Sequence, residues 1–259
     1  MKLTWYGTAA VLLESGGTRI VFDPFLGMPY EEEPFRREHL SASYRTASAV
    51  LVTHGHFDHI YDIPAVYHDS ETPIYATETP CETLKRRGVG EEKLRLIRPG
   101  DHLELGSFRI TVYQGRHCRF DSGVIRKTVF KRDTLRHINR LVELLQLNKR
   151  YAENGETLFY EIEAEGKRIQ LMGSMGMDED TDYPIGADAM ILPFQGTGDP
   201  AASVRPIIEK LKPKSIYLDH YDDAFPPMSS LIATDDFVAE MHDKGIATVA
   251  MEQGSVYYL

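Results

Sequence analysis

Residues 53–59 read Thr53-His54-Gly55-His56-Phe57-Asp58-His59, placing three imidazoles and a carboxylate within six positions. Neutral imidazole and carboxylate are natural donors for Zn²⁺ and comparable divalent ions. A loop this compact cannot easily aim four such groups at one ion. The spacing therefore predicts a division, with His54 and His56 on one metal and Asp58 and His59 turned toward a second. The stretch leading into it, Ala47-Ser-Ala-Val-Leu-Val-Thr53, is a continuous run of small and β-branched residues. Such a run, with no polar alternation, predicts a strand buried on both faces. Four solvated or loop-capping side chains are the alternative, but a pattern of this kind rarely lacks a metal role.

Outward from this loop the chain changes character. Leu3–Tyr6, Ala9–Glu14 and Thr18–Phe22 are short β-prone runs, with Gly16-Gly17 where a tight hairpin needs positive φ. Asp23-Pro24 closes the third run, because proline lacks the donor that a ladder requires. Residues 27–47, rich in Glu, Arg, Ser and Pro, predict an exposed loop with about one turn of helix. Thr79-Pro80-Cys81-Glu82 predicts a helix start with a cap, a first-turn proline and a capping-box glutamate. That helix should stop at Gly88, after Lys85, Arg86 and Arg87. Strands are expected at 107–113, 157–164 and 167–172, the last two joined through Glu165-Gly166. Beyond Met190 the order is strand, helix (200–211), strand (215–219), helix (234–244), strand (246–251). Alternation after an all-β opening predicts a layered α/β sandwich, and without repeats or a linker, one domain over 1–259.

The 259 residues are 42% hydrophobic and include 11 Phe and 14 Tyr, enough for a sizeable core and unlike a disordered chain. No stretch approaches the ~20 apolar residues of a bilayer-spanning helix, and the opening alternates like a strand rather than a secretory leader. Cys81 and Cys118 cannot build a disulfide framework, so a reducing cytoplasm is the expected compartment. A net charge of −10 disfavours nucleic-acid and anionic-membrane partners, leaving a small-molecule substrate and open room for a homo-oligomer.

One segment departs from that acidity. Within 125–150, Arg126, Lys127, Lys131, Arg132, Arg136, Arg140, Lys149 and Arg150 stand against Asp133 and Glu143, a local charge of +6. Leu135, Ile138, Leu141, Val142 and Leu145 recur there at helical spacing. We expect a basic helical insertion at about 119–156, with the stripe packed on the body. Arg126 and Lys127 are candidates for drawing in an anionic substrate group, with Lys131 beside them. A dimer contact through the stripe is the other use, while the missing interleaved aromatics count against an RNA surface.

Taken together, these residues resemble the metallo-β-lactamase superfamily, whose HxHxDH signature follows a buried strand. The likeness runs along nearly the whole chain: the opening hairpin closed by Asp23-Pro24, Gly115-Arg116-His117, the run Ala187–Pro193, and Leu218-Asp219-His220 continuing to Pro227. The ending His220-Tyr-Asp-Asp-Ala-Phe-Pro-Pro227 is most like the ascorbate-phosphate lactonase-like branch of bacterial metal-dependent hydrolases.

The resemblance implies a four-layer αββα sandwich with the metal site at one edge of its two sheets. It implies His54, His56 and His117 for a first ion, and Asp58, His59 and His220 for a second. Zn²⁺ is the first choice, Mn²⁺ and Fe²⁺ also suit such donors, and one or two ions per chain are expected. The implied activity is hydrolysis of a carbonyl or phosphoryl ester, lactone or phosphodiester-like, by a metal-activated water, with Asp58 as the catalytic carboxylate. Asp23 should accept a hydrogen bond from a ligand histidine and fix its ring. Asp219, Asp222 or Asp223 could do the same for His220, and Cys118 is expected to be a small buried hydrophobe.

Two positions depart from the pattern. Ser174 stands where relatives carry an aspartate bridging both ions, and a neutral hydroxyl offsets none of the repulsion between two cations. The nearby Asp178, Glu179, Asp180 and Asp182 read as a solvated turn. Thr8 stands where relatives often carry histidine. The alternative function is therefore a metal-binding or regulatory protein with a degraded second site.

Overall fold

Strands that are apolar on both sides need cover on both sides, and two sheets packed face to face, each backed by helices, supply it. The computed structural model describes residues 1–28, 34–118 and 131–259, with backbone alone for 34–39. The first sheet contains β1 (Lys2–Trp5), β2 (Val11–Ser15), β3 (Thr18–Phe22), β4 (Ala49–Leu51), β5 (Ile74–Ala76) and β6 (Leu94–Leu96) in that spatial order, with β15 (Val256–Tyr258) outside β1. Its N-terminal strands pair antiparallel, and β3 to β6 pair parallel. The second sheet runs β11 (Gly176–Met177), β8 (Phe108–Arg116), β9 (Leu158–Ala164), β10 (Lys167–Met172), β12 (Ala189–Pro193), β13 (Ser215–Asp219), β14 (Ala247–Ala250). A further strand, β7 (His102–Leu105), pairs with β8.

Alternation sorts the side chains into three cores. Leu3, Trp5, Val11, Leu13, Ile20, Phe22 and Leu51 point inward and meet Phe108, Ile110, Val112, Tyr160, Ile162, Ile169 and Ile191 of the facing sheet. The residues between them, such as Leu12, Val21, Val50 and Ile74, point outward and are buried beneath α1 (Pro34–Arg45), α2 (Phe57–Ile60), α3 (Ile63–Val66) and α4 (Glu78–Arg86). On the far side, Met190, Leu192, Ile216 and Leu218 lie under α7 (Pro200–Leu211) and α8 (Asp235–Asp243) through Val204, Ile208, Leu211, Phe237 and Met241. Fully burying one such side chain is worth about 1.5–3 kcal/mol, so both faces of each strand contribute. The fold is the expected αββα sandwich.

Three local expectations are corrected. The 27–47 loop contains a 12-residue helix, α1. Leu40 and Tyr44, four apart, bury in the outer core, and the Tyr44 hydroxyl donates to the Phe25 carbonyl at 3.0 Å, so tertiary burial outweighs the polar composition. The helix α4 starts at Glu78 rather than at a Thr79 cap. Thr79 is engaged elsewhere, its amide and hydroxyl donating to Glu156 at 2.8 and 2.6 Å. The 125–150 stripe does not pack as a unit. The chain breaks at His137 (φ −118, ψ 43) between α5 (Arg132–Arg136) and α6 (Ile138–Arg150). Leu141 and Leu147 are buried, but Leu135, Ile138, Val142 and Leu145 are 46–57% exposed.

At one edge of the sandwich the ends of five strands converge: Asp23 follows β3, the 53–59 loop follows β4, His117 follows β8, Ser174 follows β10 and His220 follows β13. The two sheets are tied at this edge, where the Tyr160 hydroxyl donates to the Val52 carbonyl at 2.6 Å and the Leu158 amide donates to the Thr53 carbonyl at 2.8 Å.

Candidate metal centre

Thr53 ends the buried strand and starts the site. Its amide donates to Asp23 Oδ1 at 2.7 Å and its hydroxyl donates to Asp23 Oδ2 at 2.6 Å. With its proton committed, Thr53 Oγ1 can accept from His54 Nδ1, 3.0 Å away. That leaves the Nε2 lone pair of His54 facing His56 Nδ1 at 3.1 Å. From the second sheet, His117 donates through Nδ1 to the Cys118 carbonyl at 2.8 Å and so presents Nε2. His59 Nδ1 lies 2.9 Å from Asp23 Oδ2, and His220 Nδ1 lies 3.2 Å from Gln195 Oε1. Each ring with such a partner is held by one nitrogen and offers the other.

The offered atoms fall into two groups, His54–His56–His117 and Asp58–His59–His220, the donors of each lying within 4.8 Å of one another. Imidazole centroids are 4.5 Å apart for His56 and His117 and 5.0 Å for His54 and His117. Asp58 Oδ2 is 3.3 Å from His220 Nε2 and 3.8 Å from His59 Nε2. The structure thus brings together every residue the sequence nominated as a ligand.

The electrostatics favour cations here. Burial pulls the His54 imidazole well below its ordinary pKa, helped by His59 and His56. Burial also brings His56 down to about 4, with Asp58 opposing. Both rings are therefore neutral at pH 7, with His54 Nε2 and His56 Nδ1 3.1 Å apart, and a cation between them would take the place of any proton they share. That separation is close to the ~3.3 Å edge of a tetrahedron with metal–nitrogen bonds of about 2.0–2.1 Å. At the second group, burial opposes ionisation of Asp58, but His59 and His220 overcome it and hold the carboxyl well below the usual carboxylate range. Burial likewise opposes protonation of His220, yet Asp58, Asp222 and Asp219 carry it up to about 9. A proton thus occupies His220 where a divalent ion would replace it, with proton release. The donor sets fit divalent metal.

Asp23 is 1% exposed and sits in the left-handed region at φ 46, the geometry that lets it reach Thr53 and His59 together. We expect Asp23→Asn, which tolerates that backbone, to weaken metal binding about 10–100-fold with little change in far-UV circular dichroism. Chelator competition measures the affinity, and an unchanged value would remove the orienting role.

Ser174 lines the cavity and accepts the Cys118 amide at 3.0 Å, so it braces the turn carrying His117. Asp178 accepts from Arg116 at 2.9 Å and from Thr181, and its acidic neighbours Glu179 and Asp180 are exposed, as a solvated turn should be. Asp222 accepts the Thr8 amide at 3.0 Å, while the Thr8 carbonyl accepts the His220 amide at 2.9 Å. Thr8 and His220 both have positive φ, 46 and 51, so Thr8 buttresses the strained backbone of a ligand. The orienting partner of His220 is Gln195, which the sequence did not nominate; its place just past β12, beside β13, was the available signal. Asp219 is buried with Oδ1 unpartnered, and burial pushes its carboxyl up to about 8. Arg126 and Lys127 lie outside the described residues.

Beside the metal groups lies a cavity of about 260 Å³. Among the described residues no helix is long and apolar enough to cross a membrane.

Comparison with known proteins agrees with this fold. The family described as the beta-lactamase superfamily domain matches residues 18–220. A UPF0173 metal-dependent hydrolase of Rhizobium meliloti is 32% identical over 118 residues, which is 45% of this chain and 48% of that protein. A second, from Xanthobacter autotrophicus, is 28% identical over 122 residues, again 45% and 48% of the two chains. The match spans about half the length of these curated relatives. Among solved structures, Igni18, a metallo hydrolase from Ignicoccus hospitalis, shares the fold at a TM-score of 0.64 and 18% identity, covering 100% of this chain and 98% of its own.

Proposed function

The chain belongs to the beta-lactamase superfamily, and from that premise we propose that it is a metal-dependent hydrolase of carbonyl or phosphoryl esters. The observation that carries the reading is the pair of donor triads, His54–His56–His117 and Asp58–His59–His220, lining one cavity. The curated relatives named as metal-dependent hydrolases support it. The stretch His220–Pro227 supports a place near the ascorbate-phosphate lactonase-like branch.

The three imidazoles of the first triad and the mixed set of the second would hold Zn²⁺, with Mn²⁺ and Fe²⁺ compatible with the same donors. When bound, such ions lower the pKa of water and polarise the ester oxygen that gains charge. The chain supplies the rest. Asp58, kept ionised by His59 and His220, orients the attacking water and accepts its proton. Asp23, Thr53 and Gln195 hold the rings so that the site needs no rearrangement as the reaction proceeds. Overall, one water is consumed, the bond between acyl or phosphoryl centre and oxygen breaks, and the leaving oxygen takes a proton. We place this activity in the cytoplasm, on a small-molecule substrate.

The second triad is complete without Ser174, which favours a working enzyme over a regulatory relic with a degraded site. The test is metal content of protein purified without chelators, beside a His54→Ala/His56→Ala double variant. We expect about two equivalents of metal, falling by at least one in the variant, and hydrolysis of model esters that follows the loading. Absence of metal under every loading condition would overturn the reading.

A further inference from the structure

The cavity is not uniform. Its lining mixes the donors, Ser174 and Gln195 with an apolar set, Phe57, Leu144, Phe225, Met228 and Ile232, while Asn148, Ser229 and Ser230 add polar groups beside that set. These residues come from three separate elements. Phe57 lies inside the metal-binding loop, so the apolar wall starts one residue from His56 and Asp58. Phe225 packs on it with ring centroids 5.3 Å apart and reaches Phe25 at 6.3 Å. Met228 and Ile232 follow on the same loop, which leaves β13 just past His220. Leu144 comes from α6.

Two of these elements are tied together. Lys131, just before α5, donates to the carbonyls of Pro227 and Ser229, both at 3.4 Å. Lys131 thus ties the start of α5 to the 225–232 loop. A basic side chain that the sequence offered for an anionic substrate is spent on main-chain carbonyls. The volume, about 260 Å³, falls just under the ~300–1,000 Å³ of typical ligand clefts, so the fitting group is compact.

We propose that the apolar wall is the binding subsite for a short unbranched hydrocarbon arm, and that the substrate is a carboxylic ester whose acyl group carries that arm along Phe57, Leu144, Phe225, Met228 and Ile232. This rests on the hydrolase reading above. An arm that leaves water against this wall gains about 0.8 kcal/mol per methylene, roughly a fourfold change. The reaction adds water across the acyl C–O bond: the carbonyl carbon gains a hydroxyl, the alkoxy oxygen leaves, and the water's second proton ends on the departing alcohol.

The experiment has two arms. In the first, the metal-loaded full chain is assayed with 4-nitrophenyl acetate, butyrate, hexanoate and dodecanoate, and with bis(4-nitrophenyl) phosphate. We expect kcat/KM to rise about fourfold per methylene to hexanoate, fall at dodecanoate as the cavity ends, and exceed that for the phosphodiester. Leu144→Asn, at a half-buried helix position, should cut the hexanoate-to-acetate ratio at least several-fold, while Leu144→Met should keep most of it. In the second arm, ligand-observed NMR compares binding of hexanamide and acetamide to the same chain without turnover. Hexanamide should bind at least about tenfold more tightly, and Leu144→Asn should narrow the difference. If no ester is turned over but hexanamide shows its preference, the hydrolase reading fails and the hydrocarbon subsite stands. Equal binding of the two amides, or ester turnover with no chain-length dependence, would overturn the subsite.

Discussion

Asp58→Asn will lower kcat/KM on a model ester by about 10³-fold, the middle of the range for losing a general base. The substitution keeps the shape of the side chain but removes its charge. Asp58 is the group that faces both His59 and His220, at 3.8 and 3.3 Å, and its carboxyl is held ionised by them. A neutral amide in its place neither accepts a proton nor offsets the charge of an ion held by the two imidazoles. Stopped-flow turnover should be measured beside metal content, since the two can part company. Loss of activity with metal retained assigns Asp58 to the proton transfer. Activity above a tenth of the parent would show that some other group does the work.

Gly55→Ala will damage the centre without touching a ligand. A Cβ at Gly55 would lie 2.3 Å from the Ala152 carbonyl oxygen, a backbone atom that no rotamer change can move. Ala152 follows Tyr151 at the end of α6, so the methyl must push either the insertion or the metal-binding loop. Overpacking of this kind costs about 1–3 kcal/mol. In a chain of this size that corresponds to a Tm drop of roughly 2–4 °C for each kcal/mol. Because the loop carries four donors, we also expect metal affinity to fall at least about tenfold. Scanning calorimetry and chelator competition read the two effects, and a variant matching the parent in both would show that the contact relaxes freely. Gly173 raises the same issue from the second sheet, where a Cβ would meet Thr53 at 2.5 Å.

The sequence carries the centre better than it carries the surroundings. HxHxDH could be read because donor spacing within one loop is local, whereas His117 and His220 came through the family resemblance, with their places at the ends of expected strands in its support. The sandwich was legible for the same reason: strands such as β12, apolar at every position, imply cover on both faces. What escaped depends on contacts between distant segments. Gln195 is an ordinary amide until β12 and β13 pair in parallel and bring it beside His220. Leu40 and Tyr44 sit in a polar stretch, and only the core beneath them makes that stretch helical. The stripe from Leu135 to Leu145 has helical spacing, yet the break at His137 divides it and leaves most of it in solvent. Capping was misjudged where a competing partner, Glu156, lay 77 residues away.

The second group of donors also stands far apart along the chain, Asp58 and His59 after β4 of the first sheet and His220 after β13 of the second. An ion held by all three is a covalent-strength knot closing a loop of more than 100 residues between the two halves of the sandwich. In polymer terms that is what a disulfide does, and a closure of this length removes enough freedom from the unfolded chain to be worth about 4–5 kcal/mol. Both cysteines are free, so among the described residues no disulfide shares this task, and the first triad, His54–His56–His117, would add a second metal tie between the same sheets. The same atoms that would activate water would then also staple the two sheets, which makes the resistance of this protein to unfolding a property of its metal supply.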